Sequence, residues 1–236
     1  MSCSKIELSQ RSIRKLIGKL LNIIGIRNKG TNPTEFDDQL KVFWKTDQNK
    51  WAGVEYAITT DPSTNYLESG GIGTFKGVKA TAILPHGQYV DMYKLGKHNG
   101  KYDALVQDKP FCVYRDYDRN AYLNFNVDDL HCGSDWGINI HRAKSGKADN
   151  GKGDTSKIGP YSAGCQVFQN YYCFTDDFIP RVKKQQKLYG NKYFTYTLID
   201  KWLENQFYLK RGILIGSLFI GSALILYGIK LSINNK

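Results

Sequence analysis

The sequence has no Cys-x-x-Cys pair, no internal repeat and no low-complexity tract, and only one long uncharged apolar run, near its C-terminus. The five cysteines, Cys3, Cys112, Cys132, Cys165 and Cys173, are odd in number and none sits at metal-ligand spacing. Neither a zinc site nor a disulfide framework is therefore expected. At least one thiol should be free, which suits a reducing compartment or a reactive cysteine. Acidic side chains are the minority: 33 Lys and Arg against 22 Asp and Glu give a net charge of +11. That balance favours anionic partners without choosing among them. The basic residues are scattered and no nucleic-acid-binding module is recognisable, so nucleic acid is not an expected partner. "DYDRNAYLNFNV" (116–127) starts like a calcium loop, but Ala121 replaces the turn glycine and Val127 the terminal acid, which leaves a hairpin turn. No metal and no cofactor are expected.

Hydrophobic residues make up 41% and charged residues 23%, a balance that supports a packed core. The two ends differ from the middle. "GILIGSLFIGSALILYGI" (212–229) is uncharged over 18 residues and bracketed by Lys210, Arg211 and Lys230. At ~1.5 Å per residue it would span about 27 Å as a helix, close to a bilayer core. A C-terminal transmembrane helix is expected there, with residues 230–236 as a short polar tail. The N-terminus does not read as an export signal, because Arg11, Arg14, Lys15 and Lys19 interrupt its apolar residues. Ile13, Leu16, Ile17, Leu20, Leu21 and Ile24 recur at helical spacing after Ser9, a possible N-cap. Residues 1–29 are thus expected to form a basic amphipathic helix, packed on the domain or lying on an anionic membrane surface.

Between the ends, residues 30–205 read as one mainly β domain, an antiparallel or mixed sheet with irregular loops. Strands are expected in "WAGVEYAITTD" (51–61), "ATAILPHGQY" (80–89, broken at Pro85), "ALVQDKPFCVYRDYDRNAYLNF" (104–125, two strands around a proline turn) and "KYFTYTLID" (192–200). "DPSTNYLESGGIG" (61–73) reads as a long turn, and "IPRVKKQQKLYG" (179–190) as a helix stopped by glycine.

The chemistry gathers in "GINIHRAKSGKADNGKGDTSKIGPYSAGCQVF" (137–168). Alternation places Asn139 and His141 on one face and Ile138 and Ile140 on the other, so His141 should face an open side. Gly164 permits a tight turn that presents Cys165, and successive N–H groups of such a turn can point at an oxyanion. A cysteine nucleophile needs a base, usually histidine, and the loop between the two can bring them together. His86 and His98 lie beside glycines in turns, and His131 and Cys132 should point to opposite faces.

A strand histidine, then a loop, then Ser-x-Gly-Cys resembles the L,D-transpeptidase (YkuD-like) catalytic domain. "INIHRA" and "YSAGCQVF" carry the resemblance. Ala163 stands where that family usually has histidine, Gln166-Val167-Phe168 replaces its usual sequel, and the histidine-to-cysteine gap is longer. A divergent branch in phages and Bacteroidetes is similar through "GIRN", "TTDP", "LPHGQY", "LGKHNGKYDALVQ", "VYRDYDRN", "INIHRA", "SAGCQVF" and "FTYTLI", from about 25 to 199. The resemblance implies a mixed β-sandwich-like catalytic fold. It implies that Cys165 attacks a carbonyl of a peptidoglycan stem peptide to form a thioester and that His141 accepts the thiol proton. The Arg142 carbonyl would orient the imidazole, N–H groups of Gly164 and Cys165 would form the oxyanion hole, and Ser162 would brace the turn. Asn139, Tyr161 and His98 are the candidates for holding substrate.

The expected function is a membrane-anchored, cysteine-dependent enzyme acting on peptidoglycan peptides, with transpeptidation and hydrolysis both open. Two other classes stand beside it: a non-catalytic wall-binding or virion protein that keeps the fold, and a cysteine amidase or protease with a protein substrate. A C-terminal anchor without an export signal would leave the domain in the cytoplasm, whereas peptidoglycan lies outside. Three placements stay open: insertion with the domain outside, residence in a phage particle, or accumulation inside until lysis.

Overall fold

The computed structural model describes residues 3–6, 21–28, 32–46, 48–71, 73–75, 77–134, 136–146 and 148–201. Short runs of β-branched and aromatic residues between Gly, Pro and Asn turns make strand the main regular structure of the described residues, 43% against 19% helix. The strands are β1 (Ser4–Ile6), β2 (Asn22–Arg27), β3 (Asp38–Lys45), β4 (Trp51–Thr59), β5 (Gly73–Phe75), β6 (Val78–Ile83), β7 (Gly87–His98), β8 (Tyr102–Gln107), β9 (Phe111–Asp116), β10 (Leu130–Gly133), β11 (Ile140–Arg142), β12 (Gln166–Phe168) and β13 (Tyr193–Asp200). Among the described residues two α-helices join them, α1 (Thr64–Ser69) and α2 (Ile179–Tyr189).

The larger sheet runs β1-β4-β12-β11-β8-β7-β13-β2-β3, and β3 also pairs with β4. That last pairing closes eight strands into a barrel, with β1 added outside on β4. A second sheet, β10-β9-β6-β5, lies beside it. The protein is mainly β, as its composition implies, but the barrel replaces the sandwich-like arrangement expected from the resemblance. The β3–β4 hairpin brings the two ends of the sheet together, which removes the free edges a sandwich would keep.

Residues 22–27 are strand, not the end of an amphipathic helix. Ile23, Ile24 and Ile26 are all buried, on both sides of a strand held between β13 and β3. A β-branched run buried on both faces suits a central strand better than a one-sided helix. A side chain on Gly25 would collide with Tyr196 of β13. The rest of the expected N-terminal helix (7–20) and the apolar run 212–229 lie outside the described residues. Among the described residues no helix is long and apolar enough to cross a membrane. The expected turn at 61–73 contains α1, ended by Gly70 in the left-handed conformation.

The cysteines also correct the sequence reading. Cys3 bonds to Cys173 and Cys112 to Cys132, leaving Cys165 as the free cysteine. Cys112 and Cys132 are directly opposed on β9 and β10, with Cα atoms 3.9 Å apart. The pairs are 170 and 20 residues apart in sequence, and only strand pairing and barrel closure make them neighbours.

Two clusters hold the strands that carry the site. Phe168 of β12 lies 5.0 Å from Tyr56, 5.1 Å from Phe174 and 4.9 Å from Phe178, ring centre to ring centre. These rings pack the helical turn Cys173–Phe178 and the start of α2 over β4 and β12. Where β2, β3 and β4 end, buried Arg27 ion-pairs with Asp61 at 2.8 Å and donates to the Leu84 carbonyl at 3.0 Å. Asp38 accepts from Thr60 N–H and from Asn28 N–H, each at 2.7 Å. Burial, with Asp61 nearby, pushes the Asp38 carboxyl up to about 7.

Candidate active site

β11 and β12 run parallel, with Ile140 opposite Gln166 and His141 opposite Val167. The pairing continues one step back, where Gln166 N–H donates to the Asn139 carbonyl at 2.9 Å. Cys165 therefore stands at the mouth of β12 beside Asn139. Parallel neighbours at one level point the same way, which puts Cys165, Asn139 and His141 on one side of the sheet. All three line a single cavity of about 530 Å³, together with His98 and Tyr161.

The turn before Cys165 is held from several directions. Ser162, fully buried, has its Oγ 2.7 Å from the Asp61 carbonyl and 2.9 Å from the Cys165 carbonyl, and it accepts the Gly164 N–H at 3.3 Å. One hydroxyl proton serves one of these carbonyls at a time. Ser63 N–H donates to the Ser162 carbonyl at 2.9 Å. Through Asp61 the turn is tied to the buried Arg27 cluster. Gly164 has φ of 114°, and a Cβ there would run into the Ala82 carbonyl oxygen. Only glycine fits both the backbone angle and the space.

His141 is buried rather than turned to an open side, at 3% exposure. Its neighbours cover it: the His98 ring stacks on it with centres 3.9 Å apart and an interplanar angle of 19°. Nδ1 lies 2.8 Å from the Arg142 carbonyl oxygen. A carbonyl only accepts, so Nδ1 carries the proton and Nε2 is left with its lone pair. Nε2 is buried and has no hydrogen-bond partner among the described residues. Tyr102 O–H donates to the same carbonyl at 3.2 Å and sits 3.2 Å from Nδ1. The Arg142 guanidinium lies over the Tyr102 ring, 4.0 Å from its centre. Burial, then neighbouring His98, holds the imidazole neutral, down to about 3.

The Cys165 sulfur accepts the Asn139 N–H at 3.4 Å, and its thiol donates to the Gly137 carbonyl at 3.4 Å. Burial pushes the thiol up to about 11, against the opposing effect of the Asn139 N–H. At rest the pair is therefore neutral thiol and neutral imidazole. Of the two expected oxyanion donors, the Gly164 N–H is turned to Ser162, whereas the Cys165 N–H has no partner among the described residues.

Asn139 serves the protein itself. Gln107 N–H donates to its Oδ1 at 2.9 Å, which fixes the amide and aims Nδ2 at His98 Nδ1, 3.1 Å away. His98 lies at the end of β7, not in a loop, and accepts through Nδ1 while it covers His141. Tyr161, in the short turn Gly159–Tyr161, borders the cavity with a half-buried side chain. His86 is 3.5 Å from Asp200, away from the site, and Cys132 is bonded to Cys112. Among the described residues no group of His, Cys, Asp and Glu could hold a metal ion.

Sequence reasoning missed Tyr102, the His98–His141 stack and Arg115, which also lines the cavity. A signal for Tyr102 was present. "HNGKY" has an Asn-Gly pair between two strands, a strong hairpin signal. Asn99 and Gly100 both have positive φ, and the hairpin sets His98 opposite Tyr102. Nothing in the sequence pointed to Arg115. No protein-family model, curated protein or solved structure matches this chain.

Proposed function

We propose that the chain is an L,D-transpeptidase-type enzyme that transfers or hydrolyses peptidoglycan stem peptides through a thioester on Cys165. The observation that carries this reading is the buried, unpartnered Nε2 of His141, its tautomer set by the Arg142 carbonyl, in the same cavity as the one free cysteine. With the imidazole near 3 and the thiol near 11, no resting ion pair is populated. The proton passes from sulfur to Nε2 as sulfur bonds to the peptide carbonyl carbon. The Cys165 N–H stabilises the oxygen that gains charge. As the tetrahedral intermediate collapses, the C–N bond breaks and the leaving amine takes the proton from Nε2. An amine or a water then attacks the thioester, giving its proton to Nε2, which returns it to the departing sulfur.

The two disulfides support an oxidising location for the domain, where peptidoglycan also lies. That favours insertion with the domain outside, tethered through the apolar run 212–229. The test is mass spectrometry of the full chain incubated with muropeptides. A mass shift on Cys165, lost in Cys165→Ala, is expected together with altered muropeptides. No adduct and no altered muropeptide would refute the reading. The raised thiol favours a second reading, a wall-binding protein with an unreactive cysteine. Sacculus binding that is unchanged in Cys165→Ala, without muropeptide turnover, would select it.

A further inference from the structure

Arg115 projects from β9, and its side chain reaches the cavity that holds Cys165. β9 pairs with β6, placing Arg115 opposite Ala82, the residue against which the Gly164 turn is packed. The arginine is only 4% exposed. Nη2 donates to the Ala80 carbonyl at 2.6 Å, and the guanidinium carbon lies 5.3 Å from the centre of the Trp136 ring. Nε is buried without a partner. Asp116, its neighbour along the strand, points to the opposite face and accepts the Asn124 N–H at 3.0 Å. No described carboxylate pairs with Arg115, and burial pulls its pKa down with no acid to oppose it. Of the described residues lining the cavity, Arg115 alone carries a fixed charge, since the two histidines are held toward the neutral form. Gly73 leaves room beside it, for a Cβ there would stand 2.8 Å from Nη2.

A buried guanidinium is stable only when paired or fully hydrogen-bonded, and this one has a donor to spare. A planar fork is matched by a carboxylate. We propose that Arg115 is the anchor for a carboxylate of the peptide that Cys165 attacks. The substrate class is then an acidic peptide with a free carboxylate near the reacting carbonyl. This deepens the reading of the same site given above and rests on it for the peptide.

The test separates binding from chemistry. Calorimetry on the full chain carrying Cys165→Ala compares a stem tetrapeptide with free carboxylates and the same peptide with each carboxylate amidated. The free acid is expected to bind about 10- to 100-fold more tightly, the usual size of a charge-assisted pair. Arg115→Gln should abolish that preference and Arg115→Lys should keep part of it, with circular dichroism checking that each variant folds. Equal binding of acid and amide to the arginine form, or no binding of either, overturns the proposal without any substitution at Arg115. So does an acid preference that survives Arg115→Gln. Thioester formation on unsubstituted Cys165 is scored separately. An acid preference that depends on Arg115 without a thioester would refute the enzyme and leave the anchor standing.

Discussion

At His141 a single carbonyl and the loss of water set the chemistry. Burial removes solvent from the ring and keeps it neutral, and the Arg142 oxygen decides which nitrogen holds the proton. The same burial acts on Cys165 in the other direction from activation, since it holds the proton on sulfur. For an acid whose pKa is raised, the reactive thiolate is scarcer at every pH below that value. At pH 7 the thiol form therefore dominates. Alkylation by iodoacetamide should therefore keep rising through pH 9 and 10, as read by intact mass. A plateau by pH 8 would show that the thiol is not raised. Tyr102 belongs to this scale too. Tyr102→Phe removes one donor to the Arg142 carbonyl, and the proposed acyl transfer should fall by roughly 10-fold with KM little changed, as expected for a positioning group.

Among the elements, the turn Ser162–Cys165 matters most, because it fastens the mouth of β12 to two places at once. One is the 60–63 segment, reached through Ser162 and Asp61. The other is the Ala82 carbonyl of β6, against which Gly164 rests. The segment in turn depends on Arg27. Arg27→Met should destabilise the fold by roughly 3–5 kcal/mol, because Asp61 would be left buried without its cation. Denaturant unfolding reads this directly, and a loss under 1 kcal/mol would mean the cluster does not support the turn as described. The strands 51–59, 78–83, 102–107, 111–116 and 193–200 were legible because they are apolar runs separated by Pro, Gly or Asn, whereas of β7 only the start, up to residue 89, was. β12 was not, since three residues carry no usable period. Nor was β2, whose isoleucines fit helical spacing when counted with the residues before them.

For the whole molecule, barrel closure and the cystines act together. The Cys3–Cys173 bond joins β1, added outside the barrel, to the helical turn after β12, and it closes a loop of 170 residues. A loop of that length is worth about 5 kcal/mol in the chain-entropy account. Reduction should therefore lower stability by several kcal/mol, measured by denaturant unfolding with and without a thiol reductant. Thiol titration of the denatured, unreduced protein should find one free cysteine and identify it as Cys165. Three or five free thiols would remove the argument for an oxidising location.

The sequence by itself determined the mainly β character, the glycine-stopped helix α2 and the candidacy of His141 and Cys165. These rest on local pattern, which short-range sterics and side-chain alternation write into consecutive residues. Tertiary structure decided the rest. It closed the sheet into a barrel, paired cysteines 170 and 20 residues apart, and buried His141 under His98. It also carried Arg115 from β9 to the cavity wall beside the Gly164 turn. Each of these depends on strands distant in sequence becoming neighbours. Strand pairing is set by the closing of the whole sheet, so no local window of the chain contains it.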